Sequence, residues 1–470
     1  MKRWLAVISL GVCTLSAAGW TTWRRDRNLI VVWGGEGAAE LEFITTTTFR
    51  YTRRTAPAPA RPQFRDRVEF TVTEEGDRLK LQTRYITVSL FKKGMNLQVH
   101  DGEGKLVASF GAQGFEPDLQ FRRHGFLLSR QGYGLSRNAR GECFFHYGPS
   151  PKEILEQRYE ILDKFEQLTH SDLRVLEVSA LPRAAVRLRT QPALSWSALA
   201  DLVSEAVASS LEGVVFPALN ITGWQTAPEP LRRRALDLAS VFPLVYSTEA
   251  AKPELPDRRK KLASFLVTYF WEARDRGLPL IRPVGMQYPH DPLAAEENSV
   301  FLLGDELLIV PVVSEAPKRS FYLPQGIWTD LESNAVLKGK RRVEIDVPEY
   351  LPVYLRNGSI LPVDGDPMAL HYTPTLAAEL FLYEPELDTY SQFHASPAGD
   401  FLRLQAEPKK SRRFEWIVHH VDRPKAIRGF QEAQSRADLR PGRWHYDAAR
   451  RNLHLVIHAA ADSDVVVNIE

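Results

Sequence analysis

VVFPALNITGW, Val214 to Trp224, reads as a buried strand that stops at a polar residue and turns through Thr222 and Gly223 into an aromatic. A short continuous apolar run bounded by turn signals is the pattern of a strand covered on both faces, as in a parallel sheet. The sequence on either side agrees. Ser195 onward carries a helical stripe of Leu199, Val203, Val207 and Leu211, and Thr226 to Glu229 has the form of a capping box opening another helix. A further helix is predicted from about Asp257 to Arg276, stopped by Gly277, and PLIRPVGM, Pro279 to Met286, reads as the next strand. Upstream, RVLEVSAL from Arg174 reads as a strand too. Strands alternating with helices imply parallel βα units. In barrel-type α/β folds the C-terminal ends of the strands carry the chemistry, so the neutral Asn220 is the residue to explain.

The pattern changes on both sides of this region. Before it, VEFTV, LKLQT, YITVSLF, MNLQVHD and KLVASF alternate and are separated by turns such as Asp101-Gly102-Glu103-Gly104, which is how an antiparallel β-sandwich reads. At Ser150 the period becomes helical: Ser150-Pro151-Lys152-Glu153 is a capping box, and Ile154, Leu155, Tyr159, Leu162 and Phe165 share one face. Beyond residue 295 the chain returns to strand and turn. The expected organisation is multidomain β and α/β. Residues 1–20 read as a signal peptide or anchor, 21–64 as an irregular linker ending in a Pro/Ala-rich stretch, and 65–149 as an N-terminal β-sandwich. An α/β segment covers 150–294, and two C-terminal β domains cover 295–364 and 368–470.

Composition narrows the function classes. The 470 residues are 44% hydrophobic and 25% charged, an ordinary globular balance with enough apolar surface for several cores. A formal charge of +2 provides no field that would select nucleic acid or an anionic membrane. MKRWLAVISLGVCTLSAAGW has a basic start, an apolar run from Trp4 to Trp20 and the small residues Ser16-Ala17-Ala18, the pattern of a secretory signal; its length leaves an uncleaved membrane anchor open. The expected localisation is therefore exported, periplasmic or extracellular. With Cys13 inside that segment, Cys143 is the single cysteine of a mature chain, and no internal disulfide is expected. No cluster of His, Cys and carboxylates has metal-ligand spacing, and there is no Gly-rich phosphate loop, so no metal or cofactor is implied.

Three segments resemble glycoside hydrolase family 31, the α-glucosidases and α-xylosidases. GFLLSRQGYG with FFHYGPSPKEILEQRYEIL (Gly125 to Gly134, Phe144 to Leu162) is similar to the family's passage from its sandwich into its barrel. LPLIRPVGMQYPHDP, FLLGDELLIVPVV, FYLPQGIWTDL and LPVYLRNGSILPV, spread over Leu278 to Val363, are similar to its last barrel strand and proximal C-terminal sheet, and form the most specific match. RAAVRLRTQPALSW and LEGVVFPALNITGW are similar in spacing to the barrel segments that bear the family's catalytic and sugar-contacting residues.

The resemblance implies two catalytic aspartates at barrel strand ends, about 5 Å apart, one attacking the anomeric carbon and one protonating the leaving oxygen. Aligning the family's Ser-Trp pair on Ser195-Trp196 puts Gln191 at the acid position, and an amide cannot deliver a proton. The family's Asp-Ile-Gly-Gly-Phe run becomes Asn220 to Trp224, and its histidine falls on Thr248. Nothing resembles the nucleophile's strand. Residues 150 to 290 number 141, against about 250 for a complete (β/α)₈ barrel, so the segment reads as an incomplete TIM-like barrel remnant that must stay open or pair with a partner.

Arg183 and Trp224 are the candidate substrate-binding residues the resemblance leaves; each reads equally as a surface arginine and a packing aromatic. The remaining carboxylates near strand patterns, Glu177, Glu212 and Asp291, read as a sheet-face, a helix-end and a turn residue. The expected function is an inactive pseudo-glycosidase that binds an α-linked glycan. An active α-glycosidase and a non-catalytic envelope scaffold are the alternatives, and a protein partner covering the incomplete barrel is a further expectation.

Overall fold

A computed structural model describes residues 19–35, 37–55, 62–64, 66–111, 114–115, 126–137, 142–161, 186–187, 194–211, 214–247, 254–398 and 401–470. The chain divides into two compact units, Met1–Ile161 and Leu162–Glu470. Of the export or anchor segment expected over residues 1–20, residues 1–18 lie outside the described residues. No helix among the described residues is long and apolar enough to cross a membrane.

The first unit is a β-sandwich. Trp20–Asp26, Leu29–Gly34, Gly37–Phe43 and Thr48–Arg54 form a meander, which Cys143–Tyr147, Tyr133–Arg137 and Phe126–Ser129 extend to a seven-stranded antiparallel sheet. Thr71–Glu75, Arg78–Gln82, Ile86–Phe91, Leu97–Asp101 and Leu106–Phe110 form a second, five-stranded meander. Alternation decides which side chains go inward: Leu79 and Leu81, Val88 and Leu90, and Leu97 and Val99 share one core with Leu41, Phe43 and Phe49 of the other sheet.

The expected linker 21–64 is therefore wrong: it holds four strands, and Trp20, expected to end the export segment, opens the first of them and is buried. The reason is electrostatic. Gly37–Phe43 is buried at every position because Glu40 and Glu42 are paired with the buried Arg50, which lies 2.9 Å from Glu42 and 3.4 Å from Glu142. Buried charges in consecutive strands hide the alternation by which such strands are recognised.

In the second unit Val186–Arg187, Phe216–Asn220 and Leu244–Tyr246 form a parallel sheet, with Val186 opposite Phe216 and Asn220 opposite Tyr246. The helices Trp196–Leu211 and Glu229–Ala239 are its crossovers. Leu199, Val203 and Val207 of the first and Leu231, Ala235 and Leu238 of the second are buried in one cluster with Phe216 and Leu219. Ser195 caps the first helix, its Oγ accepting from Ala198 N at 3.1 Å. The expected capping box at Thr226 does not form. Its hydroxyl donates back to Gly223 O, and the helix starts at Glu229 after Pro228, whose fixed φ already suits the approach to a first turn.

The predicted helix 257–276 is broken at Leu262 into Arg258–Lys261 and Ala263–Arg276, and Gly277 ends it in the left-handed conformation at φ 67°. Asp364 covers the N-terminal end of the longer helix, accepting from Ser264 N at 2.7 Å.

PLIRPVGM is not a parallel strand. Ile281–Pro283 pairs antiparallel with Phe301–Leu303 and becomes the edge of a six-stranded sheet with Leu307–Ile309, Val353–Arg356, Ile327–Asp330 and Val336–Lys338. Seventeen residues separate Pro283 from Phe301; they fold as the short helices Val284–Gln287 and Pro292–Glu296, and the chain reverses through them onto its own strand. The sheet of the proximal β domain thus takes in Ile281–Pro283, ahead of the expected start at 295. Ile360–Val363, expected within it, pairs instead with Met368–Tyr372 of the distal domain. That domain is a sandwich of a six-stranded and a four-stranded sheet around Trp416, Phe393, Phe414 and Leu455.

Candidate functional site

The strand Phe216–Asn220 ends where the sequence places it. Asn220 is 3% exposed, and its Oδ1 accepts from Thr222 N at 2.9 Å, closing a side-chain turn on its own backbone. The turn continues through Gly223 at φ 94°, and Trp224 N donates to Ile221 O at 3.0 Å. Thr226 N and Ala227 N both donate to Gly223 O. This is a rigid, self-bonded connection from strand to helix. The indole of Trp224 packs, half-buried, against the core cluster under the sheet, and its buried Nε1 meets no acceptor among the described residues.

Of the predicted site residues, the structure thus brings together Asn220 and Trp224. Arg183, Gln191 and Thr248 lie outside the described residues, as do Glu177 and Glu212. Asp291 is a structural residue: its Oδ1 accepts from Leu293 N and Ala294 N at the start of a short helix, and its Oδ2 accepts from the Tyr322 hydroxyl at 2.5 Å. The described residues at the C-terminal ends of the parallel strands, Asn220 to Thr226 and Ser247, include no carboxylate. A carboxamide and an indole can orient and hold a polar ligand, but neither can transfer a proton or attack an anomeric carbon at neutral pH.

Two polar clusters escaped the sequence reading. In the first, Arg282 is fully buried and donates to Glu272, to Asp305 at 2.6 Å and to the carbonyl of Pro279. Tyr269 donates to Glu306 and accepts from Asp305 N at 3.0 Å. Burial, reinforced by the neighbouring Asp305, raises the Glu306 carboxyl well above the ordinary carboxylate range, against the Tyr269 hydroxyl. In the second, on the distal sandwich, His371 Nδ1 lies 3.0 Å from His419 Nε2, His419 Nδ1 lies 2.8 Å from Asn334 Oδ1, and His454 Nδ1 lies 2.8 Å from Glu415. Burial lowers His371 to about 4 although Glu415 opposes it, and lowers His419 well below the usual imidazole value. No pattern in the sequence joins these histidines, which meet only because the strands Met368–Tyr372, Arg412–Val418 and Asn452–Ala459 pair side by side. No group of three or more His, Cys, Asp or Glu among the described residues has the arrangement of a metal site.

Residues 277–361 match the profile of the Glycosyl hydrolase family 31 C-terminal domain. An alpha-glucosidase of Saccharolobus solfataricus is 31% identical over 136 residues, 29% of this chain and 19% of that protein. The neutral alpha-glucosidase AB of Sus scrofa is 28% identical over 236 residues, 42% of this chain and 25% of that protein. The chain thus spans about a fifth to a quarter of the length of the curated relatives it matches. Among solved structures, a family 31 dextranase of Flavobacterium johnsoniae complexed with isomaltotriose superposes with a TM-score of 0.75 at 12% identity, covering 96% of this chain and 99% of that one. A family 31 alpha-xylosidase of Xanthomonas citri superposes with a TM-score of 0.62 at 11% identity, covering 94% and 100%.

Proposed function

We propose, from the premise that this chain is a member of glycoside hydrolase family 31, that it is a pseudo-glycosidase holding an α-linked glycan without cleaving it. The observation that carries the reading is Asn220: where the family resemblance expects a carboxylate, a carboxamide is committed to its own turn. The sequence adds Gln191 and Thr248 at two further positions and offers no nucleophile strand. A retaining mechanism needs two carboxylates about 5 Å apart, and a site without them keeps only its capacity to bind.

In this proposal the parallel sheet is what is left of a (β/α) barrel, with a protein partner covering its open edge. Trp224 and Arg183 are the contacts for the sugar, and the N-terminal segment directs export. The names of the relatives, glucosidases, a dextranase and a xylosidase, support α-linked glycans as the ligand class.

Purified protein incubated with aryl α-glucoside and α-xyloside is expected to release no aglycone. Turnover that one acidic-residue substitution abolishes sinks the proposal. Binding to a panel of α-glycans is expected to weaken in Trp224→Ala and Arg183→Ala. No binding to any glycan, with co-purification of an envelope protein, supports the scaffold reading instead.

A further inference from the structure

Away from the parallel sheet, the helix Ala263–Arg276, the turn at Asp305 and Glu306 and the strand Ala378–Glu384 of the distal sandwich enclose a cleft of about 370 Å³. That lies within the roughly 300–1,000 Å³ of small-ligand pockets. Phe265, Tyr269 and Glu272 face it from one stripe of the helix, and Phe381 and Tyr390 from the opposite wall. The wall is held in place by the helix itself: Tyr383 N donates to Thr268 Oγ1 at 3.0 Å, and the Trp271 and Tyr383 rings pack 4.7 Å apart.

Phe381 is the informative residue. Its strand neighbours Leu380 and Leu382 turn into the sandwich core, whereas the Phe381 ring stands 48% exposed at the cleft. The ring offers an apolar face beside a row of carboxylates, a combination matched by a ligand that carries both C–H and hydroxyl groups.

Most of the carboxylates around the ring are engaged. Glu272 pairs with Arg276 and Arg282, Asp305 with Arg282, Asp275 with Arg274 at 2.7 Å, and Glu306 takes the Tyr269 hydroxyl, while the exposed Glu379 lies 3.5 Å from His394. The three arginines offset most of the negative charge, so the cleft presents acceptor lone pairs with only a weak net field. A free cation gains little from such a site. A neutral molecule with several hydroxyl donors around an apolar C–H face fits it: the hydroxyls donate to the carboxylates and the C–H face covers the ring.

We infer that this cleft is a saccharide-binding site, separate from the strand-end site, that takes a neutral pyranose unit against Phe381 with its hydroxyls donating to the carboxylates of the helix and of Glu379. With the strand-end site it gives the chain two points of attachment for one glycan or for two, and two linked weak contacts hold far more tightly than either alone when the ligand spans them.

The full chain is titrated calorimetrically with methyl α-glucoside, maltose and isomaltose. The expected result is saccharide binding at two sites: Phe381→Ala weakens the cleft by about fivefold or more and Phe381→Tyr preserves it, while Trp224→Ala weakens only the strand-end site. Phe401→Ala removes a comparably exposed ring, 42%, that does not line the cleft, and leaves binding unchanged. Because Phe381 is exposed, its replacement does not threaten the fold, and an unchanged melting temperature confirms this. Binding that Phe381→Ala does not alter overturns the inference. So does failure of all three sugars to bind, or tighter binding of tetramethylammonium than of any sugar. Loss in Trp224→Ala with Phe381→Ala unaffected leaves the strand-end proposal standing and removes this one.

Discussion

Asn220 is committed to a structural task. Its Oδ1 closes the turn onto Thr222, and it is buried, so the acceptor has no solvent to replace it. Asn220→Ala should lower stability by about 1 kcal/mol, the cost of one buried unpaired amide, read as a shift in the urea midpoint. Asn220→Ser, whose hydroxyl can still accept, should lose less; equal losses would show that the turn bond contributes nothing. That this residue ends a strand was legible from the apolar run before it. What it bonds was not, because a side chain two residues from its partner can turn either way.

The neighbouring indole makes the opposite point. Trp224 read equally as a sugar contact and as a packing aromatic, and the structure packs it half-buried on the core, its ring N–H unmatched among the described residues.

At the scale of elements, the short strand Ile281–Pro283 and the helix Ala263–Arg276 are one construction joined by Arg282. The guanidinium is fully buried, and its carboxylate partners come from ten residues before it and 23 after. Removing the cation alone takes the guanidinium from Asp305 and leaves Glu272 with Arg276 alone. Arg282→Leu should therefore destabilise the chain by about 3–5 kcal/mol, and Arg282→Lys should rescue little, because an ammonium cannot reach both carboxylates as a planar fork does. A loss under about 1 kcal/mol in a denaturant series would mean the network is dispensable. Gly304 belongs to the same construction: at φ 63°, with a Cβ placed 2.3 Å from the Tyr269 ring, it admits no side chain. The run Pro279 to Met286 read as one strand; only Ile281–Pro283 is strand, and Val284–Gln287 is helical. The strand's antiparallel partner is Phe301–Leu303, a pairing that periodicity does not encode.

The whole molecule should respond to acid through its distal sandwich. His371 and His419 are buried and held neutral, hydrogen-bonded to each other and on to Asn334 of the proximal domain; Glu415, His454, His420, Arg436 and Arg450 surround them. Their folded values lie below the ordinary imidazole value near 6.5, so the unfolded chain takes up protons first as pH falls. The stability they contribute is complete above about 6.5 and is lost as pH drops from there towards 4, by up to about 1.4 kcal/mol per pH unit for each histidine. Melting temperatures measured across that range should fall more steeply for the native chain than for His371→Gln/His419→Gln. Parallel slopes would show that these histidines do not couple protonation to folding.

By itself the sequence determined the order of the β, α/β and β regions, the strand that ends at Asn220, and the neutral residues Gln191, Asn220 and Thr248 at positions the family resemblance marks. All of these are written in local period and residue type, which neighbours along the chain fix. Only the tertiary structure decided that residues 20–54 are strands, that Ile281–Pro283 and Ile360–Val363 change sheets, and that Arg282 and the distal histidines sit in networks. Those outcomes depend on which charges find buried partners and which edges find pairs. Both are settled by contacts between residues far apart in the chain, where the pattern of any single segment is silent.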